Sequence, residues 1–361
     1  CVLANRLSAD STCTVAILEA GNKDRSPWIH IPVGYFKTIK NPALNWMYRT
    51  ERDPGLNGRS LNWPRGKTLG GSSSINGLLY VRGQPQDYDT WRQQGNVGWS
   101  WDDVLPLFKR AESWEDGESD LRGGLGPLTV TRSHKSWKIV DAWVSSAQQA
   151  GFPFNPDYNG EDQEGVGYFQ LTAKGGLRCS SAKAYLRPVR ERSNLTVMTG
   201  FLTNRIRFKD RTAVAVEGAK DGEDIVVTAR REIILCAGAI GSAQILMLSG
   251  IGPGDQLSEF GIAAVHANGA VGQKSHVFAV LWVPVLFAVL QIPPVGFLLC
   301  PFVMAAIAWH GVRRSLTKFP WSNRDFRWMH ARASKRSMSP VGWPYRHLLH
   351  PADEYRTTAR K

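Results

Sequence analysis

The chain of 361 residues is poor in cysteine: Cys1, Cys13, Cys179, Cys236 and Cys300 are odd in number and form no CxxC pair. That excludes a disulfide framework and a cysteine zinc site as organising devices, and makes a reducing, cytoplasmic setting the expectation. No initiator methionine or signal peptide opens the sequence, so no export signal is read. A Gly-x-Gly-x-x-Gly turn is also lacking ahead of the first apolar strand pattern. Acidic residues number 31 against 44 Lys and Arg, a formal charge of +13. The excess is not spread over one surface, because residues 274–361 carry thirteen Lys/Arg against Asp325, Asp353 and Glu354. The tail thus holds +10 and the first 273 residues only +3. A broad basic face for nucleic acid is not indicated, and no nucleic-acid partner is expected.

What the chain has is glycine, 35 residues, and tryptophan, 14. The glycines concentrate where they matter most in residues 63–83, WPRGKTLGGSSSINGLLYVRG. Glycine accepts positive φ and lacks a Cβ, so a backbone rich in it can close on an anion. Ser72, Ser73 and Ser74 add donors, and Arg65 and Lys67 add charge. A flexible Gly/Ser linker has this composition too. It fits poorly here, since Ile75, Leu78, Leu79, Tyr80 and Val81 follow at once and need burial. A nucleotide-triphosphate loop is excluded as well: Gly66-Lys67-Thr68 has the right ending, but Leu61 stands where that motif needs glycine.

The segment resembles the first signature of the glucose-methanol-choline (GMC) flavoprotein oxidoreductases, with Gly66, Lys67, Leu69, Gly70, Gly71, Ser72, Ser73, Ile75, Asn76, Tyr80, Gly83 and Asp89 in motif positions. The resemblance implies that this stretch runs along the pyrophosphate and isoalloxazine of FAD. It places Arg65, Leu69, Gly70, Gly71, Ser72, Asn76, Gly77 and Leu79 at the cofactor. Some members attach the flavin through a histidine just before the asparagine; Ile75 stands there, so FAD is expected to be held non-covalently.

Taken in order, residues 1–7 put Val2, Leu3 and Leu7 on one helical face, and residues 14–18 read as a buried strand ending at Glu19. In a Rossmann unit an acid at that place accepts hydrogen bonds from the adenosine ribose. The preceding strand and its glycine turn belong directly before Cys1, so the chain reads as starting inside the unit, with weakened FAD binding as the expected result. Residues 22–62 read mostly as loop. Residues 87–111 predict two helices joined near Gly98, with Asp102 as N-cap of the second. Residues 112–126 read as a solvated acidic loop, His134 as structural, and residues 137–150 as an amphipathic helix ended by Gly151.

Residues 176–188, GLRCSSAKAYLRP, resemble a second family stretch through Arg178, Ser180, Ala184, Tyr185 and Leu186. Residues 194–208 predict two strands, and Thr203 matches the position whose main chain pairs with adenine in the family. Residues 233–237 predict a continuous apolar strand entering a glycine turn at Gly238 and a helix closed by Gly250. The run GAIGSAQILMLSGIG resembles the second GMC signature, with Ala243 in place of the usual proline.

The likeness stops after Gln273. Residues 277–309 carry no charge and are long enough for a membrane span, with Arg313, Arg314 and Lys318 following. A single span would place the preceding residues outside without an export signal. A hairpin at Pro293-Pro294 would leave legs of about 16 residues, roughly 24 Å against a ~30 Å hydrocarbon core. The expectation is that this tail is no native continuation of the family, but a shifted frame, a fusion or a retained non-coding stretch.

The fold expected is α/β: a Rossmann-like FAD-binding domain from residues 1–90 and 195–273, part of an α+β substrate domain at 91–194, and a non-family tail at 274–361. The function implied by the resemblance is FAD-dependent oxidation of a small-molecule alcohol, of the alcohol or choline dehydrogenase type. The family's catalytic histidine region has no counterpart before residue 273, so no catalytic residue is assigned and the copy reads as incomplete. A non-catalytic, membrane-associated protein that retains the cofactor-domain remnant stays open as the alternative.

Overall fold

The computed structural model describes residues 1–134 and 136–272. The tail assignments, including the apolar run at 277–309, lie outside them. Among the described residues no helix is long and apolar enough to cross a membrane.

The architecture is mixed α/β. Helix α1 (Val2–Leu7) leads into β1 (Val15–Glu19), and two single-turn helices follow, α2 (Pro27–His30) and α3 (Tyr35–Thr38). A small hairpin pairs β2 (Tyr48–Arg49) with β3 (Asn62–Trp63), and the glycine-serine stretch then coils into a 3₁₀ turn at Gly71–Ser74. Next come α4 (Pro85–Gln93), α5 (Trp101–Ala111), β4 (Glu112–Trp114), β5 (Leu128–Arg132) and α6 (Lys138–Gln149). Short strands β6 (Gln170–Leu171), β7 (Ala173–Lys174) and β8 (Leu177–Arg178) precede a π-helical turn at Ala182–Leu186. The chain then enters β9 (Leu195–Thr199), β10 (Phe201–Lys209), β11 (Thr212–Lys220) and β12 (Glu223–Thr228). It closes with α7 (Gly238–Leu248), β13 (Ile251–Gly252), α8 (Gly254–Glu259) and β14 (His266–Ala267).

Strands β1 and β9 are parallel neighbours, Val15 beside Leu195 through Glu19 beside Thr199, although about half the chain lies between them. Their apolar faces, with Val15, Ile17 and Val197, pack on a core of Ala4, Leu69, Ala182, Leu186, Val189 and Leu195. Leu69 is the anchor of the glycine-serine stretch: burying such a side chain contributes about 2 kcal/mol, enough to hold a loop of small residues against the sheet. Strands β10, β11 and β12 form an antiparallel meander, in which Val216 lies between Ile206 and Val227. The turn between β11 and β12 uses Asp221 and Gly222, both at positive φ, the twist that a two-residue hairpin favours.

Several expectations are corrected. On α1 it is Ala4 that is buried, while Val2 and Leu3 are exposed, because the helix is too short to turn both onto the core. Strand β1 is only partly buried and Ala16 is exposed. Residues 22–62 are mostly irregular as expected, with the short elements α2, α3, β2 and the first residue of β3 set among them. The N-cap of α5 is Ser100, whose Oγ accepts from Asp103 N at 3.3 Å while Asp103 Oδ2 accepts from Ser100 N at 3.0 Å. Asp102 falls two positions inside, where its carboxylate can only favour the helix dipole.

Residues 233–237 form no strand and alternate between half-buried and exposed. An extended run becomes a strand only when a ladder satisfies its backbone, and no described strand pairs with it.

Within the expected solvated loop at 112–126, residues 115–120 are mostly exposed, but residues 112–114 form β4 and Arg122 is buried. Glu112 is fully buried and accepts from Arg82 Nη2 at 2.5 Å, Arg122 Nη2 at 2.6 Å and Gly123 N at 3.1 Å. Arg122 also donates to Asp157 at 2.6 Å. Burial opposes the Arg122 charge, but the Glu112 hydrogen bonds and the two carboxylates hold its pKa above the ordinary value. Two cations and two anions thus form one closed network. It fixes Arg82, while Tyr158 OH and Asn159 Nδ2 donate to Tyr80 O at 2.9 and 3.0 Å.

Candidate functional site

Glu19 and the glycine-serine turn share one neighbourhood. Glu19 Oε1 accepts from Gly21 N at 2.8 Å. Gly21 packs so tightly on the turn that a Cβ there would stand 2.0 Å from the Lys67 carbonyl carbon. The next residue, Asn22, forms a parallel bridge to Thr68, and its carbonyl accepts from Leu69 N at 3.1 Å and Thr68 Oγ1 at 2.9 Å. Gly200 N donates to Gly21 O at 3.0 Å, so the β9–β10 corner joins the same place.

Burial drives the Glu19 pKa up from its ordinary value to about 7, against the Gly21 N–H hydrogen bond and the Lys67 charge. Lys67 is lowered in turn, first by its own desolvation and then less so because Glu19 faces it. Among the described residues none donates to Glu19 Oε2. The carboxylate therefore has acceptor capacity for a ligand hydroxyl.

Two aromatic faces carry the cations of the turn. Lys67 Nζ lies 4.9 Å from the Trp46 ring centre, and the Arg65 guanidinium 5.6 Å from that of Trp63. Trp46 in turn stacks on Tyr48. Neither Arg65 nor Lys67 makes a carboxylate ion pair among the described residues, so both leave positive charge at the turn.

The two central glycines do different work. Gly70, at φ +86°, faces inward: a Cβ there would meet Ser74 Oγ at 2.5 Å and Ala182 Cβ at 3.1 Å. Gly71, at φ +54°, faces open space, with nothing within 4 Å of a Cβ. Leu69 is placed in the core, its N–H donates to Asn22 O and its carbonyl accepts from Ser74 Oγ at 2.7 Å, so it backs the turn and does not face a ligand as expected. Ser72 is exposed and its Oγ accepts from Gly66 N at 3.1 Å.

Asn76 is exposed; its Oδ1 accepts from Leu78 N at 3.1 Å. Gly77 and Leu79 are half-buried, and Leu79 bridges Leu171. Thr203 lies at a bulge on β10 opposite Gly218, half-buried. Gly238, at φ +78°, opens α7 with open space on its Cβ side. It stands two residues after Cys236, and the Cys1 amino end lies within electrostatic reach of both Cys236 and Glu19.

Two features of the site escape a reading of residues alone. Leu78 is buried at φ +64°, a left-handed conformation that costs a branched side chain roughly 1–2 kcal/mol. It is held there by Asn76 Oδ1 on its N–H and by Thr172 N and Oγ1 on its carbonyl. Arg178 is the second. Only 1% exposed, it donates to Ile29 O at 2.7 Å, Ser73 O at 3.1 Å, Asn76 Oδ1 at 2.5 Å and Asn76 O at 2.7 Å. Its place in the family stretch was the only available signal, and that carried no hint of the partners.

No described histidine stands at the turn's contacts: His30 bonds Asp24 O, His134 pairs with Glu115, and His266 is exposed on β14. Among the described residues no cluster suits a metal ion.

Comparison with known proteins gives consistent matches. A family model described as GMC oxidoreductase matches residues 7–280. An oxygen-dependent choline dehydrogenase of Photobacterium profundum is 44% identical over 276 residues, 76% of this chain and 49% of that protein. An alcohol dehydrogenase (acceptor) of Pseudomonas putida is 43% identical over 277 residues, 76% of this chain and 50% of that protein. The chain spans about half the length of these curated relatives. Among solved structures, pyridoxine 4-oxidase from Mesorbium loti superposes with a TM-score of 0.71 at 33% identity, over 74% of this chain and 52% of that one.

Proposed function

The chain belongs to the GMC oxidoreductase family, and from that premise we propose that residues 1–272 form the FAD-holding side of an oxidoreductase acting on CH–OH groups, of the choline or alcohol dehydrogenase type. The observation that carries the proposal is the convergence of Glu19, Lys67 and the open face of Gly71 on one neighbourhood. We read residues 1–90 and 195–273 as the discontinuous cofactor-binding domain and residues 91–194 as part of the substrate domain.

The residues present fit FAD. Glu19 Oε2 suits the hydroxyls of the adenosine ribose, and the parallel pair β1–β9 is the local geometry of a dinucleotide-binding unit. The bare main chain at Gly71 and Gly238 suits close approach of a flat or anionic group. Arg65 and Lys67 supply charge of the sign that a pyrophosphate needs, and the Thr203 main chain is the proposed adenine contact. Ser72, Asn76, Gly77 and Leu79 follow toward the ring end. Ile75 is buried with Ile29 and Leu44, so no nucleophile is offered for a covalent link and the flavin is held non-covalently.

Bound FAD would supply a two-electron acceptor for the hydride of an alcohol carbon. The alcohol proton must leave in the same event, which needs a base within hydrogen-bond reach. Nothing in residues 1–272 is assigned that role.

The test is a fluorescence titration of the purified full chain with FAD at pH 6 and pH 8. Ribose hydroxyls donate to an ionised carboxylate, so binding should lower the Glu19 pKa. Ionisation of a group with pKa near 7 rises about tenfold between those pH values, and the affinity of the unaltered chain should rise in step. Glu19→Gln should bind weakly and without that dependence. Equal affinity of both proteins at both pH values would remove Glu19 from the site; no binding at all would end the FAD reading. Anaerobic addition of choline or a primary alcohol should leave any bound flavin oxidised, and rapid bleaching would show that the chain carries its own base.

A further inference from the structure

We propose that Arg178 is a positioning residue for the cofactor: by holding Asn76 and the left-handed backbone at Leu78, it sets the shape of the segment that meets the flavin. This rests on the FAD reading above for its functional consequence, but its structural part stands separately.

Arg178 ties together three segments that are remote in sequence. The carbonyl of Ile29 comes from α2, Ser73 and Asn76 come from the turn, and Arg178 itself ends β8. A planar guanidinium offers donors in a fixed fork, so its bonds fix the relative orientation of their acceptors as well as their distance. Three of the four acceptors belong to Ser73 and Asn76. Asn76 Oδ1 is shared: it accepts from Arg178 on one side and from Leu78 N on the other. The route from Arg178 to the strained residue is therefore two hydrogen bonds long.

The neighbouring residues reinforce the same contact. Ser181 N donates to Ser73 Oγ at 2.9 Å, and Ser73 Oγ donates to Gly70 O at 2.6 Å. Residues 178–181 thus back the turn from Gly70 to Asn76 along its length.

Arg178 also differs from a scaffold arginine in its charge environment. No carboxylate pairs with it among the described residues; its acceptors are neutral carbonyls and an amide. Burial accordingly pulls its pKa down to about 10. A buried cation with only neutral acceptors leaves positive potential at the turn, and an ammonium could keep that charge but could not span the same acceptors.

The experiment compares the full chain with Arg178→Lys, Asn76→Ala and the double variant. Amide hydrogen exchange over residues 70–79 is measured without FAD, alongside thermal unfolding, and the FAD dissociation constant by fluorescence titration. Arg178→Lys should unfold cooperatively, exchange at least tenfold faster over residues 70–79, and bind FAD about tenfold more weakly. Asn76→Ala should have the same local effect, and the double variant little more than either single one, since both break one chain of contacts. A merely structural arginine would give multiplying losses instead. Wild-type exchange in Arg178→Lys, or independent effects of the two changes, overturns the proposal. If Arg178→Lys fails to fold, Asn76→Ala decides alone: unaltered exchange there overturns it. Should the unaltered chain bind no FAD, the cofactor reading fails, while the exchange result still judges Arg178.

Discussion

One short stretch, residues 73–82, is held at each end by a buried arginine system, and the two differ in kind. At the downstream end Glu112 lies between Arg82 and Arg122, with Asp157 completing a neutral set. At the upstream end Arg178 stands without a counter-ion among the described residues, bonded there to carbonyls and an amide. A closed set of charges has no field left to offer a ligand and serves to lock the segment in place. A cation left over beside an exposed asparagine is what a site for an electron-rich, anionic cofactor calls for.

The largest effect is expected at the closed network. Glu112→Ala would leave the buried Arg82 guanidinium without a carboxylate and Arg122 with Asp157 alone, and loss of one partner from a buried ionic set costs about 3–5 kcal/mol. Urea unfolding should show a loss of that size; a change under 1 kcal/mol would mean that the network is solvated and the contrast false.

The next effect is that of Glu19, and its sign is set by burial. Its pKa is raised to about 7, so between the unfolded value and 7 the folded chain binds the extra proton. Its contribution to stability is complete below the unfolded pKa and is lost as pH rises through 7, a term of up to about 3 kcal/mol. Melting between pH 4.5 and 8 without FAD should show this decline in the unaltered chain and a flatter profile in Glu19→Gln. Parallel profiles would place the strain elsewhere. The smallest effect is expected from Asp157→Asn at the half-open rim of the network, which keeps the acceptor atom and removes only its charge. About 1 kcal/mol should be lost, and more than 3 would show that the rim is as dry as its centre.

Much of this was legible in the residues, because the relevant patterns are local. The strands at 15–19, 195–199 and 201–209, the helix at 238–248 and the coiling of the glycine-serine stretch follow from apolar runs and turn residues close in sequence. Glu19 could be singled out because an acid at a strand end has a known task. What stayed hidden depends on distant partners. Glu112 reads as a loop acid until Arg82, thirty residues earlier, and Arg122 are seen to enclose it. Arg178 gains its meaning from Ile29 and Asn76, more than a hundred residues away. The run at 233–237 has the composition of a strand, but composition cannot supply a neighbour. The N-cap of α5 lies at Ser100, two residues before Asp102, because serine and aspartate are both good caps and only geometry chooses between them.

The close packing of Gly21 on the Lys67–Thr68 peptide reaches beyond this chain to the way such proteins can be recombined. With no space for even a methyl group, the strand end bearing Glu19 and the glycine-serine stretch must match each other atom for atom. Chimeras made from two relatives should therefore exchange residues 19–22 and 66–72 together. A crossover placed between them would join two half-seams cut to different profiles, however well each parent folds.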